Sequence, residues 1–413
     1  MRRRARTGAA GFSLVELMIA LVISAVVIAG ALSLLTAQQQ LYQRSSGERN
    51  LQDMARIALD QLSTDLRLAG YGIDPGFAFD FGPLANVSQD RLPSGQLASV
   101  AGYACANPVA CRDSTAGPDE VVLHYRDPSF FHTLTAQATA GSITVNGPLV
   151  NPIQQGQLLE VVCFGGDMVW AYVTASAAVA ATTTTAPVTI PLAAGNGNVF
   201  GAQNQYLTDT CFSPSTLPGG SAMAFKVDRL RYFIQSYDPT GAIVPWGTAG
   251  ARPYLMLDQG LLDPSGAPLA QVIAPDVEDL QIAYLFPRSA TPTAGATSGT
   301  ALAAAPSGID TGATCPVYSD PSTALSRSTH HPVNIGAVQI SIVIRTPAYD
   351  SRLNGQMDMT LPAEGNRPAL LGPTGYRRQV YETTVATPNL DARASYFPAY
   401  STSPTDLLDV GGG

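Results

Sequence analysis

Apolar residues run almost unbroken from Phe12 to Ala37, and Glu16 is the only charge among them. At a rise of about 1.5 Å per residue the stretch is long enough to cross a bilayer as a helix. Past Ala37 the text turns polar without losing a helical period. Leu51, Met54, Ala55, Ala58, Leu59, Leu62 and Leu66 recur at steps of three and four and form one apolar stripe. Glu48, Arg49, Asp53, Arg56, Asp60, Asp65 and Arg67 mix both signs on the other faces, as a solvated helix surface does. Ala-Gly-Tyr-Gly at Ala69–Gly72, followed by Pro75, ends the run. The pattern predicts one helix of about 55 residues, roughly 80 Å long. Residues 12–37 form its membrane or filament-core half, and 38–70 an amphipathic continuation lying along a head. Gly30, inside the apolar half, allows either close helix approach or local unwinding of the helix.

From residue 71 the period changes to that of strands. LLEVVCF and MVWAYVTA flank Gly-Gly-Asp at Gly165–Asp167, a hairpin signal. VDRLRYFIQSYD (Val227–Asp238) alternates before Pro-Thr-Gly, and AIVPW and PYLMLDQ read as further strands. DVEDLQIAYLF, VNIGAVQISIVIRT and RRQVYETTVAT complete the set. A helix followed by strands gives an α+β fold, the helix packed on a large antiparallel, β-rich head spanning 71–413. ASAAVAATTTTAP (Ala175–Pro187) fits a strand end or a loop. Ser289–Cys315 has no amphipathic period and many breakers. It reads as a mobile loop inserted within the head, either a tolerated surface loop or a tip-exposed contact surface.

Composition agrees with a turn-rich β protein: 38 Gly, 31 Pro and only 13% charged residues. Net charge is −8, and four of the 23 basic residues fall in the first six positions, so the remainder is acidic and offers nucleic acid no basic face. The cysteines (Cys105, Cys111, Cys163, Cys211 and Cys315) all follow the apolar segment, as an oxidising compartment predicts, and none forms a CxxC pair. The favoured pairs are Cys105–Cys111, a short loop turned by Pro108, and Cys163–Cys211, with Cys315 the odd thiol. Any of them can instead be a buried free thiol.

Little suggests catalysis. His330 and His331 are adjacent, so in extended chain they point to opposite faces, and His124 and His132 have no partner in sequence. There is no HExxH, GxSxG, P-loop or GxGxxG, and DPTG and DPSG are turns rather than calcium loops. No enzyme, metal or cofactor is expected.

The amino terminus is the specific part. MRRRARTGAAG is basic and has no apolar segment of its own. The small residue Gly11 precedes the apolar run, so a cut after Gly11 leaves the run attached as a permanent helix starting at Phe12. Arginines before the run favour a cytoplasmic amino end and a head outside the membrane. A carboxylate within such a helix needs a partner or a function.

This segment resembles the class III signal of type IV prepilins and pseudopilins: Gly11, Phe12, the SLVEL of Ser13–Leu17 and the apolar tail all match. The resemblance implies that residues 1–11 are a leader removed by prepilin peptidase and that Phe12 is then N-methylated. It also implies that Glu16 meets the amino-terminal charge of a neighbouring subunit during assembly. Two buried opposite charges are tolerable only together.

A finer resemblance, to PilW-type minor pilins related to pseudopilin J, rests on AGYG, VDRLRYFI, VEDLQIAYLF, VQISIVIRT and YETTVATPNL. It implies a minor pilin, held in the bacterial inner membrane with its head in the periplasm and later placed at or near the pilus tip. Its implied partners are the major pilin, other minor pilins, the inner-membrane assembly platform, a large tip adhesin and, before assembly, membrane lipid. The rival readings are a minor pseudopilin of a type II secretion system and a membrane-anchored periplasmic enzyme or binding protein. A plain signal anchor, with Glu16 facing another helix, is the simplest alternative.

Overall fold

The computed structural model describes residues 13–73, 78–79, 117–164, 168–193, 207, 212, 214, 222–286, 308–309, 335–347, 360–361, 370–371 and 375–391. The chain divides into two units, Met1–Asp53 and Met54–Gly413. The helix α1 runs without interruption from Leu14 to Leu66, 53 residues. In the first unit, Leu14–Gln39 has a mean hydropathy of 2.7 and is wholly exposed in the isolated chain, long and apolar enough to cross a membrane.

In the second unit the last turns of α1 bury Ala55, Ala58, Leu62 and Leu66, each at most 2% exposed. The stripe predicted from the spacing is therefore core, while Arg56, Asp60 and Arg67 stay exposed.

The strands, in chain order, are β1 (Val121–Thr133), β2 (Ser142–Val145), β3 (Leu158–Phe164), β4 (Met168–Thr174), β5 (Val188–Pro191), β6 (Met223–Tyr237), β7 (Ile243–Val244), β8 (Arg252–Leu262), β9 (Pro268–Pro275), β10 (Val277–Phe286), β11 (Gly308–Ile309), β12 (Ala337–Arg345), β13 (Thr360–Leu361), β14 (Leu370–Leu371) and β15 (Arg378–Ala386). A short helix, α2 (Pro388–Asp391), follows β15.

Two antiparallel sheets carry the head. The larger is built on β6, which pairs with β1 along Met223–Tyr232, with β3 along Met223–Val227 and with β8 along Arg231–Tyr237. Because β1 overlaps both, β3 and β8 must share the opposite edge of β6. β4 and β9 extend this sheet outward from β3 and β8. The second sheet runs β11-β10-β12-β15. One face of its centre is apolar, with Leu280, Ile282, Val338, Ile340, Ile342 and Ile344 all at most 2% exposed, while the other face buries Asp279, Gln281 and Ser341 beside Val343. Alternation along β10 and β12 separates these two faces, and the polar residues on the second are buried as well.

The helix-then-strands architecture read from the sequence holds, as does the β3–β4 hairpin, whose Phe164 faces Met168. β1 was not anticipated. Its text, VVLHYRDPSFFHT, is broken by Asp-Pro, and the structure absorbs the break as a register shift between Arg126 and Phe131. The Ala175–Pro187 stretch forms an irregular ribbon rather than a strand. Val179 and Ile153 exchange main-chain hydrogen bonds (2.8 and 3.0 Å), and Thr182 N–H donates to Leu149 O at 2.8 Å. The ribbon presses on Gly147, where an added Cβ would stand 2.4 Å from Thr184 O and 2.5 Å from Ala186 O. Only glycine admits so close a main-chain approach. Of the loop Ser289–Cys315, Gly308 and Ile309 pair with Phe286 and Leu285; its other residues lie outside the described ones.

DPTG and DPSG are turns with one construction. Asp238 Oδ1 accepts from Thr240 N–H (2.8 Å), Thr240 Oγ1 (2.6 Å) and Ala242 N–H (2.9 Å). Asp263 Oδ1 accepts from Ser265 N–H (2.8 Å), Ser265 Oγ (2.6 Å) and Ala267 N–H (2.8 Å). The carboxylates are thus occupied in closing the β6–β7 and β8–β9 connections.

Candidate processing and assembly site

The helix begins at Leu14, which makes Ser13 its N-cap and Glu16 its third residue. Ser13 N–H donates to Glu16 Oε2 at 3.0 Å, and Glu16 N–H donates to Ser13 Oγ at 3.2 Å. This is a reciprocal capping box, with the carboxylate at the positive end of the helix dipole. Serine followed three residues later by glutamate is itself a legible signal of a helix start, and the sequence reading passed over it. Glu16 Oε1 has no partner among the described residues, so the carboxylate has one oxygen committed within the chain and one left over. Gly11 and Phe12, like the rest of the leader, lie outside the described residues.

At the far end of α1 the sequence AGYG builds a joint. Gly70 takes φ +76°, and a Cβ there would stand 2.7 Å from Leu390 Cδ2. Gly70 N–H donates to His124 O (3.0 Å), and Arg126 N–H donates to Tyr71 O (2.8 Å), so the turn is bonded to β1. From α2, Asn389 Nδ2 donates to Arg67 O (3.0 Å) and Ala69 O (3.2 Å), satisfying carbonyls that a helix end leaves open. Asp65 completes the joint on the β6 side. Its Oδ2 accepts from Tyr232 Oη and from Gln61 Nε2 (2.8 Å). Burial, with the Asp65 hydrogen bond and charge behind it, pushes the Tyr232 phenol far above its ordinary value and keeps it a donor.

Several buried charges among the described residues of the head are paired. Arg231, 1% exposed, reaches Glu120 through Nε at 2.8 Å and Nη2 at 2.5 Å. Glu278 holds both Arg345 (3.4 Å) and Arg378 (3.0 Å). Glu160 accepts from Arg126 (2.6 Å) and from Tyr172 Oη (3.2 Å). These pairs tie neighbouring segments within each sheet, and each carboxylate is satisfied as a buried charge must be.

His124 is buried on β1 and His132 hydrogen-bonds Asn146 O at 2.9 Å; His330 and His331 lie outside the described residues. Among the described residues no cluster of His, Cys, Asp or Glu could hold a metal. Cys163, 1% exposed on β3, is disulfide-bonded. Cys105, Cys111, Cys211 and Cys315 lie outside the described residues.

Against known proteins, the family model of the prokaryotic N-terminal methylation motif matches residues 6–32, a segment that takes in Gly11, Phe12, Ser13 and Glu16. No curated protein and no solved structure matches the chain. The chain therefore carries the amino-terminal methylation motif of prepilin-like proteins at the start of an apolar helix long enough to cross a membrane.

Proposed function

We propose that this chain is a minor pilin of the PilW type, a structural subunit of a type IV pilus rather than an enzyme. Prepilin peptidase cuts between Gly11 and Phe12, Phe12 is N-methylated, and the subunit waits in the inner membrane with its head in the periplasm. Together with other minor pilins it primes assembly on the inner-membrane platform, and it ends at or near the tip, with the major pilin's shaft growing below it and a large adhesin beside it. The observation that carries this reading is the methylation motif at the start of one continuous 53-residue helix whose last turns are built into a β-rich head. The finer assignment draws support from where the PilW-like segments fall. AGYG, VDRLRYFI and YETTVATPNL supply the turn, the β6 strand and the α2 cap that meet at the end of α1. The uncommitted Oε1 of Glu16 supports its matching to a neighbour's amino-terminal ammonium, since pairing there need not break the cap.

The test is mass spectrometry of filaments sheared from cells. The reading expects a peptide beginning at methylated Phe12, at low abundance beside the major pilin. Protein found only in membranes with its leader attached would overturn it. A methylated Phe12 in cells whose secretion, rather than piliation, fails on deletion of the gene would move the chain to the pseudopilins.

A further inference from the structure

The head carries a long stretch almost free of formal charge. From Pro128 to Thr208 the only Asp, Glu, Lys or Arg residues are Glu160 and Asp167, where the chain-wide share of 13% would put about ten. Glu160 is buried against Arg126. Within this stretch three strips lie side by side. Asn146 N–H donates to Thr133 O (2.9 Å) while Thr133 N–H donates to Asn146 Oδ1 (2.8 Å), joining the end of β1 to 146–150. Leu149 N–H donates to Thr182 Oγ1 (2.9 Å), joining 146–150 to the threonine ribbon. The strips expose Phe131 (61%), Val150 (74%) and the run Thr183–Thr185. The ribbon is held at Gly147 by the close main-chain contact described above, so the threonines are displayed on a fixed backbone.

We propose that this face pairs with a second copy of the same chain about a two-fold axis. Electrostatics selects that occupant. In an isologous contact the same patch meets itself, so a patch of one sign repels its partner, whereas apolar groups and hydroxyls, which both donate and accept, are self-complementary. Each copy carries a net charge of −8, and charges within about 8 Å of a contact are incompletely screened at physiological salt. A neutral face lets two such acidic chains meet without adding a like-charge penalty at the contact. Depletion of charge around exposed aromatic and aliphatic anchors is also the composition of an interface centre.

The experiment weighs the full-length chain in detergent micelles by light scattering over a range of concentrations. A dimer that dissociates on dilution is expected. Val150→Lys and Phe131→Lys should each raise its dissociation constant at least tenfold, and Val272→Lys, at an exposed site on β9, should leave it unchanged. Melting curves check that the variants fold, and a photo-crosslinker at residue 150 should join the chain to residues 131–133, 146–150 or 182–186 of a second copy. A monomer at every concentration overturns the proposal. So does a dimer that survives both lysine substitutions, which would assign pairing to the apolar helix, or a crosslink landing elsewhere.

Discussion

The side-chain amide of Asn389 donates to the carbonyl of Ala69 at 3.2 Å, so a residue 320 positions downstream caps the end of α1. Asn389→Ala removes two hydrogen bonds to helix-end carbonyls. A loss of about 1–2 kcal/mol is expected, read as a lower melting temperature of the purified full chain. If Asn389→Ala melts like the parent, water replaces the amide without loss and α2 is not a cap.

The phenol of Tyr232 and the carboxylate of Asp65 should be energetically coupled. Tyr232→Phe leaves Asp65, 7% exposed, with Gln61 as its remaining side-chain donor, and should destabilise the head by about 1–3 kcal/mol. In a double-mutant cycle with Asp65→Asn the two losses should sum to more than the double variant shows. Strict additivity would mean that the pair does not interact in solution.

The proposed function gives Glu16 a duty in assembly that is separable from the cap it makes with Ser13. Ser13→Ala removes only the cap's hydroxyl and should leave leader cleavage and filament incorporation intact, whereas Glu16→Gln keeps an acceptor for the cap but loses the charge. The expected result is normal processing of Glu16→Gln with at least a tenfold fall in its share of sheared filaments, measured by quantitative peptide counting. Equal incorporation of both variants would confine Glu16 to capping.

Cys163 and Phe212 occupy the same core cluster, with Leu207 and Ala222 beside them. Phe212 O accepts from Ala138 N–H at 3.1 Å, so the residue next to Cys211 is fixed in that core. A non-reducing peptide map should therefore recover Cys163 joined to Cys211. Recovery of Cys163 joined to Cys105, Cys111 or Cys315 would refute the pairing.

Asp238 and Asp263 should make the head acid-sensitive. The hydroxyls of Thr240 and Ser265, then the main-chain N–H groups of the turns, hold both carboxyls below their usual value. Their contribution is present above the unfolded value of about 3.9 and is lost as pH falls through the lower folded values. Asp228 acts in the opposite sense, since burial raises its carboxyl against the pull of Lys226, and acidification relieves that penalty. Melting temperature followed from pH 5 to pH 2 should fall less in Asp238→Asn/Asp263→Asn, which keeps the acceptor oxygens but does not titrate there. Parallel curves would exclude the turns as the source.

The legible parts of this protein were those set by local pattern. The apolar run, the stripe through Leu62 and Leu66, and the alternating text of β10 and β12 each declare their element within a dozen residues. β1 escaped because its Asp-Pro reads as a turn, and only pairing with β6 overrides that reading. The joint at the end of α1 escaped for another reason. Asp65, Tyr232 and Asn389 are each unremarkable in sequence, and nothing local says that they converge. The buried Arg231–Glu120 pair was hidden in the same way: alternation marks Arg231 as strand but not as core.

The cap on α1 also sets a schedule. Residues Arg67 and Ala69 emerge long before Asn389, and at about 5–20 residues per second the ribosome needs roughly 16–60 seconds to cover the interval. Throughout that time the helix end must wait with open carbonyls, and β12 has no β15 beside it. A nascent chain interrupted anywhere in those 320 residues cannot close the joint. Completion of the head therefore waits for the synthesis of Asn389, and a chain broken off before it is recognisable by a helix that leads into an unfinished fold.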